Sequence, residues 1–395
     1  MKIEYIRLKN FKAFKDVEME DIPDFCVLVG ANGTGKTTLF QVFNFLKDAL
    51  ESSVDTALRK LGGSRKFKEV RSRNTKGAIE IELRYKTKPG STNSKNPLIH
   101  YFLKINEEND SAYVEKEYLS YPHPSRKGKS GRYWRYIDFS KGKGRIVVSQ
   151  KTKTRQKRTF NKDYLALNGL AIDGRYKKVQ PLVKFIKNFH VSDIRIDKAR
   201  SDSYDNEEEL SPTGDNLAGV IGFLHDKHKD VLKKIISILE ECISHLDKVN
   251  VKENKIDGSI ALEFKEKRFQ KPFLAKFVSE GTIKLLAYLV LLYTPHRYPL
   301  ICVEEPENQI YPKFVQDLAE EFRFYTESES GGQVFVTTHS PEFLNAVEIE
   351  EAFYLEKKWG YTTVQNLSKN KQVKEQGDND AKLGELWNEG FFGQL

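Results

Sequence analysis

The chain has 395 residues, of which 39% are hydrophobic, and a formal net charge of +9. This length can hold two or three lobes with their own cores. Its longest apolar runs are too short to cross a bilayer, which argues against a membrane partner. Cys26, Cys242 and Cys302 lie far apart inside apolar runs, so we expect core residues and neither a disulfide framework nor a metal cluster. The excess of basic residues suits polyanionic partners, but it would also suit small anionic ligands.

Two short strands are predicted at the start of the chain. Apolar and charged residues alternate over Lys2–Leu8, and a turn leads into a second strand at Asp16–Met19. No signal peptide is visible before the first strand, so we expect a cytoplasmic protein. The turn between the strands is compatible with a contact to a nucleotide base, but packing of Phe11 and Phe14 under the strands is the favoured interpretation.

A glycine-rich loop between a strand and a helix is the most specific feature of the sequence. Phe25–Val29 predicts a buried strand, and apolar residues at helical spacing follow the loop. The loop fits the pattern G-x-x-x-x-G-K-[ST], which binds the phosphates of a nucleoside triphosphate. Lys36 is expected to bridge the β- and γ-phosphates, and the Thr37 hydroxyl to hold Mg²⁺. The predicted nucleotide-binding residues are Gly30, Ala31, Asn32, Gly33, Thr34, Gly35, Lys36, Thr37 and Thr38.

The next part of the chain is predicted to form an antiparallel meander. The polar and basic stretch Arg59–Lys76 is expected to be a loop, and strands are expected at Ala78–Tyr85, Leu98–Ile105 and Ala112–Leu119. The segment 126–158 then carries a strong excess of Lys and Arg over one acid, with Tyr and Trp interleaved. Such a segment suits nucleic acid, through phosphate contacts and base stacking. A solvated excursion whose aromatic residues pack on their own hairpin explains the same pattern equally well.

Three signals in the second half of the chain predict the rest of an active site. Ser279-Glu280-Gly281-Thr282 opens a strongly apolar helix, which alone indicates little more than a helix cap. A buried strand then ends in two acids, Glu304 and Glu305, which is costly unless a cation lies nearby. We predict that Glu304 binds Mg²⁺ and that Glu305 polarises the attacking water. A further buried strand ends at His339, which is placed to hydrogen-bond the γ-phosphate.

These motifs, in this order, resemble the ABC-type ATPases of the RecF, SMC and OLD lineage. More narrowly, the chain resembles the small stand-alone AAA-family ATPases of bacterial genome-maintenance and anti-phage operons. The matching segments outside the glycine-rich loop are Arg7–Phe14, Leu210–Leu217, Ser279–Thr282, Val303–Asn308, Thr338–Pro341 and Gly384–Gly393. The basic segment is not covered by the resemblance.

The resemblance implies an α/β fold of the ABC-ATPase head type. It implies a mixed β-sheet, a P-loop lobe, an antiparallel β-meander and a helical lobe with the signature motif. We expect the P-loop lobe and meander at 1–120, a basic insertion containing aromatic residues at 121–190, the helical lobe at 191–298, and Walker B, the switch histidine and the C-terminal part of the core at 299–395.

The resemblance also implies the nucleotide and the assembly. ATP with Mg²⁺ is the expected ligand, and Ser279 and Gly281 of one subunit are expected to cap the ATP bound to another, which requires a homodimer or a higher homo-oligomer. Glu304 stands where Walker B usually has aspartate, so hydrolysis is expected to be slow. Tyr311-Pro312 replaces the usual His-Pro, and the Q-loop glutamine is unassigned between Gln150 and Gln180.

Two classes of function remain from the sequence. A transporter subunit is disfavoured by the long stretch between the Walker A and signature motifs, and a long SMC-type arm by the absence of heptads. Asp378 and Asp380 do not form a convincing acidic metal cluster for a nuclease. The first remaining class is a sensor ATPase of anti-phage defence, which works with a separately encoded effector such as a TOPRIM-like nuclease. The second is a RecF- or SMC-like DNA-binding ATPase of repair or recombination.

Overall fold

The structure is a computed structural model that describes residues 1–87, 96–122, 133–149, 154–243, 245–329, 331–377 and 381–393. The strands are β1 (Lys2–Phe11), β2 (Phe14–Glu20), β3 (Phe25–Val29), β4 (Ile79–Lys86), β5 (Ile99–Glu108), β6 (Ser111–Pro122), β7 (Tyr133–Ser140), β8 (Lys143–Ser149), β9 (Thr154–Thr159), β10 (Phe189–Ser192), β11 (Leu246–Glu253), β12 (Ile260–Glu266), β13 (Phe273–Leu274), β14 (Leu300–Glu304), β15 (Gln333–Thr338), β16 (Ala352–Lys358) and β17 (Tyr361–Asn366).

The helices alternate with these strands in both halves of the chain. They are α1 (Lys36–Glu51), α2 (Val54–Gly62), α3 (Lys66–Val70), α4 (Ala166–Ile172), α5 (Gln180–Lys187), α6 (Ile196–Ala199), α7 (Leu217–Lys227), α8 (Lys229–Cys242), α9 (Glu280–Tyr293), α10 (Pro312–Glu327), α11 (Pro341–Leu344), α12 (Lys371–Gly377) and α13 (Leu383–Asn388). Within the described ranges, no helix is long and apolar enough to cross a membrane.

The chain divides into two compact units. Unit 1 contains Met1–Phe189, Ile349–Asn379 and Gly390–Leu395, and unit 2 contains His190–Glu348 and Asp380–Glu389. The domain boundaries expected at 120, 190 and 298 stay predictions.

Unit 1 is built on a large antiparallel sheet with the strand order β2-β1-β4-β5-β6-β7-β8-β9. Apolar side chains alternate along β4 and β5, as expected for strands with one buried face. A second group of strands in this unit is mixed, because β16 is parallel to β3 and antiparallel to β17. All five residues of β3 are buried, so this strand forms a rigid support for the loop that follows it.

The prediction of a loop at Arg59–Lys76 is wrong, because the end of α2, a 3-10 turn at Gly63–Arg65 and helix α3 occupy most of that range. Their few apolar residues, among them Leu58, Phe67 and Val70, are buried and hold the helices against the rest of unit 1. The charged residues around them mask this pattern in the sequence.

Unit 2 combines a parallel strand pair, β14 and β15, with a three-stranded antiparallel sheet in the order β11-β12-β13. Ile283–Leu292 in the middle of α9 is buried on every side, as is typical of a core helix. The buried strands β14 and β15 end at Glu304 and Thr338, so their carboxyl ends present polar residues side by side. The observed α/β architecture, with a large antiparallel sheet and a mixed sheet, confirms the expected fold class.

Candidate functional site

The loop after β3 has the backbone shape of a phosphate cradle. Gly33 and Gly35 have φ angles of +79° and +95°, a left-handed conformation that favours glycine. Gly35 is also the N-cap of α1 and has no side chain to cover the first amides of the helix. These amides and the positive end of the helix dipole suit a phosphate.

Contacts within unit 1 hold the loop in this shape. The Lys36 ammonium donates to the carbonyl oxygens of Gly30 at 2.7 Å and Ala31 at 3.3 Å, so the loop folds around it. The Thr362 hydroxyl on β17 donates to the Thr34 carbonyl at 2.6 Å. Lys36 is 6% exposed, whereas Asn32, Gly33 and Thr37 lie at the surface of the loop. The predicted phosphate-binding residues therefore fit a triphosphate, and Thr37, in the first turn of α1, is the residue of this loop that would hold a metal ion.

A basic cavity of about 470 Å³ borders this loop in unit 1. Ala13 connects the cavity to the loop. It lines the cavity, and its Cβ would lie 3.0 Å from a Cβ atom added to Gly35. Four basic residues from three separate segments surround the cavity: Lys12, Arg71, Arg73 and Lys357. Sequence reasoning missed Arg71, Arg73 and Lys357, because only the fold brings them to the loop. Phe11 and Phe14 are at most 1% exposed, so they pack under the strands as the favoured interpretation held.

In unit 2, Glu305 has a strained backbone. Its φ of +42° places a non-glycine residue in the left-handed region, which costs about 1–2 kcal/mol. Its N–H donates to the Thr337 carbonyl at 2.9 Å, and the Asn308 amide donates to its carboxylate at 3.0 Å. Strain of this kind is commonly stored at functional sites, where it fixes the direction of a side chain.

His339 lies beside the same carboxylate. Its Nδ1 is 3.3 Å from Glu305 Oε1 and 3.7 Å from Glu307 Oε1. Glu307 is 8% exposed and accepts hydrogen bonds from the Thr338 hydroxyl at 2.7 Å and the His339 N–H at 3.1 Å. The structure thus brings Glu305 and His339 together and adds Glu307 as the residue that fixes the backbone at the histidine. Glu304 lies opposite Thr337 at the end of β14.

The predicted signature motif forms the start of α9 and packs against the turn that follows Glu305. Ser279 is the N-cap and accepts from the Thr282 N–H at 3.2 Å. A side chain on Gly281 would lie 2.4 Å from the Gln309 carbonyl oxygen, so only glycine allows this close approach. Gln309 also donates to Glu280 at 2.7 Å. An open cavity of about 650 Å³ adjoins these residues, with Tyr311, Phe314 and Leu285 among its lining.

Lys284 is a further residue of this site that sequence reasoning missed. Its ammonium, buried to 6% exposure, donates to the carbonyls of Asn308 at 2.9 Å and Glu305 at 3.4 Å. Burial lowers the pKa of Lys284, and the carboxylates of Glu307, Asp193 and Glu305 oppose that shift. The lysine therefore links helix α9 to the turn that carries the predicted catalytic glutamate. Its place five residues after Ser279, on a helix that is otherwise apolar, is the signal that could have found it.

The described part of the basic segment forms strands β7, β8 and β9. Two of its aromatic residues pack within unit 1: Trp134 stacks on Tyr121 at 5.7 Å, and Phe139 packs on Phe160 at 5.6 Å. Tyr121 and Phe160 lie just outside the segment, and Tyr133 is 43% exposed. Nucleic-acid binding and packing on its own hairpin therefore both stay predictions for this segment. Gln180 begins α5 and donates to the Gly174 carbonyl at 3.2 Å. Several residues named from the sequence lie outside the described ranges: 126, 127, 129, 132, 151, 153, Gln150, Asp378 and Asp380.

Comparison with known families adds to this geometry. Residues 25–345 match the family described as "AAA domain, putative AbiEii toxin, Type IV TA system". The match spans most of the chain and contains both the phosphate loop and His339. The chain belongs to this AAA family.

Further comparisons support the resemblance to the ABC-type ATPases of the RecF and SMC lineage that the sequence motifs implied. It is 30% identical over 105 residues to the DNA replication and repair protein RecF of Paenarthrobacter aurescens (strain TC1), which is 25% of this chain and 26% of RecF. The match therefore spans about a quarter of that curated relative.

Two solved SMC structures share the fold at 14% identity. An Smc head bound to the C-terminal winged-helix domain of ScpA has a TM-score of 0.53 and covers 92% of this chain and 98% of its own. An Smc head with an extended coiled coil, bound to the C-terminal domain of ScpA derived from Pyrococcus furiosus, has a TM-score of 0.50 and covers 96% and 100%. These likenesses confirm the ABC-ATPase head fold.

Proposed function

We propose that two copies of this chain bind ATP and Mg²⁺ between them, hydrolyse the ATP, and thereby regulate a separately encoded effector. The observation that carries this proposal is the packing of the Ser279 helix start against the turn of Glu305. Ser279, which would reach the ATP of the other copy, and Glu305, which would activate water, are therefore parts of one local structure in unit 2. The phosphate loop in unit 1 supplies the site where the nucleotide binds.

Each predicted residue has a role in this mechanism. The loop Gly30–Thr38 binds the phosphates through its amides, and Lys36 neutralises their charge. Thr37 and Glu304 would hold Mg²⁺, which supplies electrostatic stabilisation of the phosphates when bound. Glu305 orients and polarises the attacking water, and His339, held 3.3 Å from Glu305, hydrogen-bonds the γ-phosphate. The longer Glu304 side chain, in place of aspartate, is expected to make turnover slow.

The second copy completes the site. Ser279 and Gly281 at the start of α9 would meet the γ-phosphate of ATP bound to the partner, since the α9 N-terminus attracts anions. This contact exists only with a triphosphate, so hydrolysis would weaken the dimer. The link from Ser279 through Lys284 to Glu305 would then couple dimer formation to catalysis.

The effector part of the proposal rests on family membership, because the family description names a toxin–antitoxin system. We expect the ATPase to restrain or deliver an effector such as a TOPRIM-like nuclease in anti-phage defence. The experiment is purification of the native complex from its own operon, with wild-type chain and with Glu305→Gln, followed by mass and ATPase measurements. A co-purifying protein that ATP releases from wild type and not from the variant is expected. Glu320→Gln, an exposed change on α10, is the matched control.

The match to RecF favours a second candidate, a DNA-associated ATPase of repair or recombination. In that case the same purification would yield a dimer without an effector, and its ATP hydrolysis would rise on addition of DNA. The two candidates share the ATP site and differ in what the ATP-bound dimer contacts.

A further inference from the structure

The hairpin of β16 and β17 contacts the phosphate loop at two separate places. Strand β16 runs parallel to β3, which leads into the loop, and a Cβ atom added to Gly30 would lie 2.4 Å from the Leu355 carbonyl oxygen of β16. Further along the loop, the Thr362 hydroxyl on β17 donates to the Thr34 carbonyl at 2.6 Å. A hairpin from the C-terminal part of the chain therefore borders the loop where the loop begins and again before α1.

Thr362 is fixed by contacts on both sides of its strand. It lies opposite Lys357 of β16 in register, and its N–H donates to the Ala13 carbonyl at 2.9 Å, in the turn between β1 and β2. It is 2% exposed, and a β-branched side chain has few rotamers to choose from. The hydroxyl therefore reaches the loop from a fixed direction.

Burial in a strand does not explain why this residue has a hydroxyl. Valine has nearly the same shape, suits a strand equally well and has no polar group that needs a partner when it is buried. Within the described ranges, the Thr34 carbonyl is the only hydrogen-bond partner of the Thr362 hydroxyl. The contribution of this hydroxyl is therefore to the phosphate loop.

The Thr34 carbonyl belongs to the peptide unit that joins Thr34 to Gly35. A trans peptide is planar, so its carbonyl and its N–H point in opposite directions. The close approach of Ala13 and Thr362, each 3.0 Å from a Cβ atom added to Gly35, leaves room only for glycine. Glycine also permits this peptide to flip at little cost, which would turn the carbonyl oxygen toward a bound phosphate.

The other contacts of the loop restrain different peptide units. The Lys36 ammonium donates to the carbonyls of Gly30 and Ala31, and the Thr34 hydroxyl donates to the Ala31 carbonyl at 2.8 Å. The hydrogen bond to Thr362 is thus the contact in the described structure that holds the peptide between Thr34 and Gly35 in one orientation.

We propose that Thr362 is a positioning residue, whose hydroxyl keeps the Gly35 N–H directed at the phosphates of the bound nucleotide. The inference rests on the proposed ATP site and adds to it a residue far from the glycine-rich loop in sequence. Backbone amides of such a loop bind phosphate oxygens and not the base. Loss of the Thr362 hydroxyl therefore weakens the binding of any triphosphate, whether or not it carries a nucleoside.

Three variants test this role. Thr362→Val removes the hydroxyl and keeps the shape, and Thr362→Ser keeps the hydroxyl. Thr363→Val is the matched control, because the exposed Thr363 lies on the same strand and its hydroxyl donates to the Glu356 carbonyl at 3.3 Å. Binding of ATP with a fluorescent N-methylanthraniloyl group on its ribose is measured by anisotropy with Mg²⁺, and inorganic tripolyphosphate is the competitor without a nucleoside. Steady-state ATP hydrolysis and thermal unfolding are measured on the same proteins.

Thr362→Val is expected to bind labelled ATP and tripolyphosphate about tenfold more weakly, the order of effect of one lost hydrogen bond. KM for ATP should rise by a similar factor with kcat nearly unchanged, because the loop binds the phosphates equally before and during the reaction. Thr362→Ser and Thr363→Val should bind like wild type. A role in folding alone would lower the melting temperature and the active fraction, and with it kcat, without a change in KM.

Four results would contradict the proposal. Unchanged affinity in Thr362→Val, an equal loss in Thr363→Val, or weaker binding of labelled ATP without weaker binding of tripolyphosphate would each overturn the role of Thr362 and leave the ATP site standing. Failure of the wild type to bind labelled ATP would overturn the proposed ATP site and, with it, this inference.

Discussion

At the scale of single residues, Lys284 offers a direct test of how the signature helix controls Glu305. Lys284→Met keeps the length of the side chain but leaves the Asn308 and Glu305 carbonyls without their donor, which costs about 1–3 kcal/mol. We expect kcat for ATP hydrolysis to fall at least about tenfold, the equivalent of 1.4 kcal/mol, with little change in KM. Lys284→Arg should restore part of the loss because it keeps the charge and the donors. A fall in thermal stability with an unchanged kcat would show that Lys284 stabilises the fold and has no role in catalysis.

Glu117 is a buried carboxylate in unit 1 whose ionisation should affect stability. It is 0% exposed and accepts hydrogen bonds from the Ala166 N–H at 2.6 Å and the Leu167 N–H at 3.2 Å, at the start of α4. Burial is the largest influence and raises the pKa of Glu117 to about 7, although these hydrogen bonds act in the opposite direction. Between pH 4.5 and 7 the folded chain therefore binds more protons at this site than the unfolded chain.

The free energy of unfolding should accordingly fall as the pH rises from about 4.5 to about 7, by about 3 kcal/mol from this residue. Glu117→Gln should remove that dependence, since glutamine does not ionise. Denaturant unfolding at several pH values measures it, with Glu115→Gln on the same strand as the control. The pKa of Glu115 is lowered: burial, the largest influence, acts to raise it, but hydrogen bonds from Lys104 and Asn106 outweigh that effect. An unchanged pH dependence in Glu117→Gln would contradict the assignment.

At the scale of elements, helix α2 tests whether a short, charged helix is specified by its cap. The Ser53 hydroxyl accepts from the Thr56 N–H at 3.2 Å. Ser53→Ala should lower the free energy of unfolding by about 1 kcal/mol because that amide loses its partner. Ser52→Ala is the matched control. The Ser52 hydroxyl donates to the Asp48 carbonyl, but this carbonyl also accepts from the Ser52 N–H at 2.9 Å, so it keeps a partner when the hydroxyl is removed. Equal effects of the two changes, measured by chemical denaturation, would argue against the cap.

The same helix shows where sequence reasoning reaches its limit. The buried strands β3, β14 and β15 were predictable because their apolar runs are continuous, and because β3 leads into the glycine-rich loop while β14 and β15 end in polar residues. Helix α2 was not, because its burial depends on a few apolar residues, such as Leu58, among many charged ones. Tertiary packing decides such segments, and no local pattern reveals it.

The residues of the candidate site also differ in whether the sequence alone can predict them. The loop around Lys36, the acids at Glu304 and Glu305, and His339 could be predicted because each is a local motif attached to a strand. Arg71 could not, because only the fold brings it to the cavity beside the loop, whereas Lys284 could have been found from its place five residues after Ser279 on a strongly apolar helix. The left-handed backbone of Glu305 is likewise a consequence of its neighbours, Thr337 and Asn308.

At the scale of the whole molecule, the protein combines a unit that holds the predicted phosphate loop with a unit that carries the predicted signature motif and the predicted catalytic residues. Family membership supports an ATPase of the RecF and SMC lineage. We propose that assembly is the output of this ATPase: ATP would join two copies, and hydrolysis would separate them.

The most direct test of the account is the mass in solution with ATP and Mg²⁺, measured by analytical ultracentrifugation together with ATP hydrolysis. Glu305→Gln should lower hydrolysis at least about 100-fold, a typical effect of losing a general base, and hold the protein at twice its chain mass of 45.6 kDa. Adding Ser279→Arg should return it to 45.6 kDa, because the arginine would block the start of α9. A Ser279→Arg protein that still forms the ATP-dependent dimer and hydrolyses ATP as fast as wild type would show that Ser279 does not reach the ATP of the other copy.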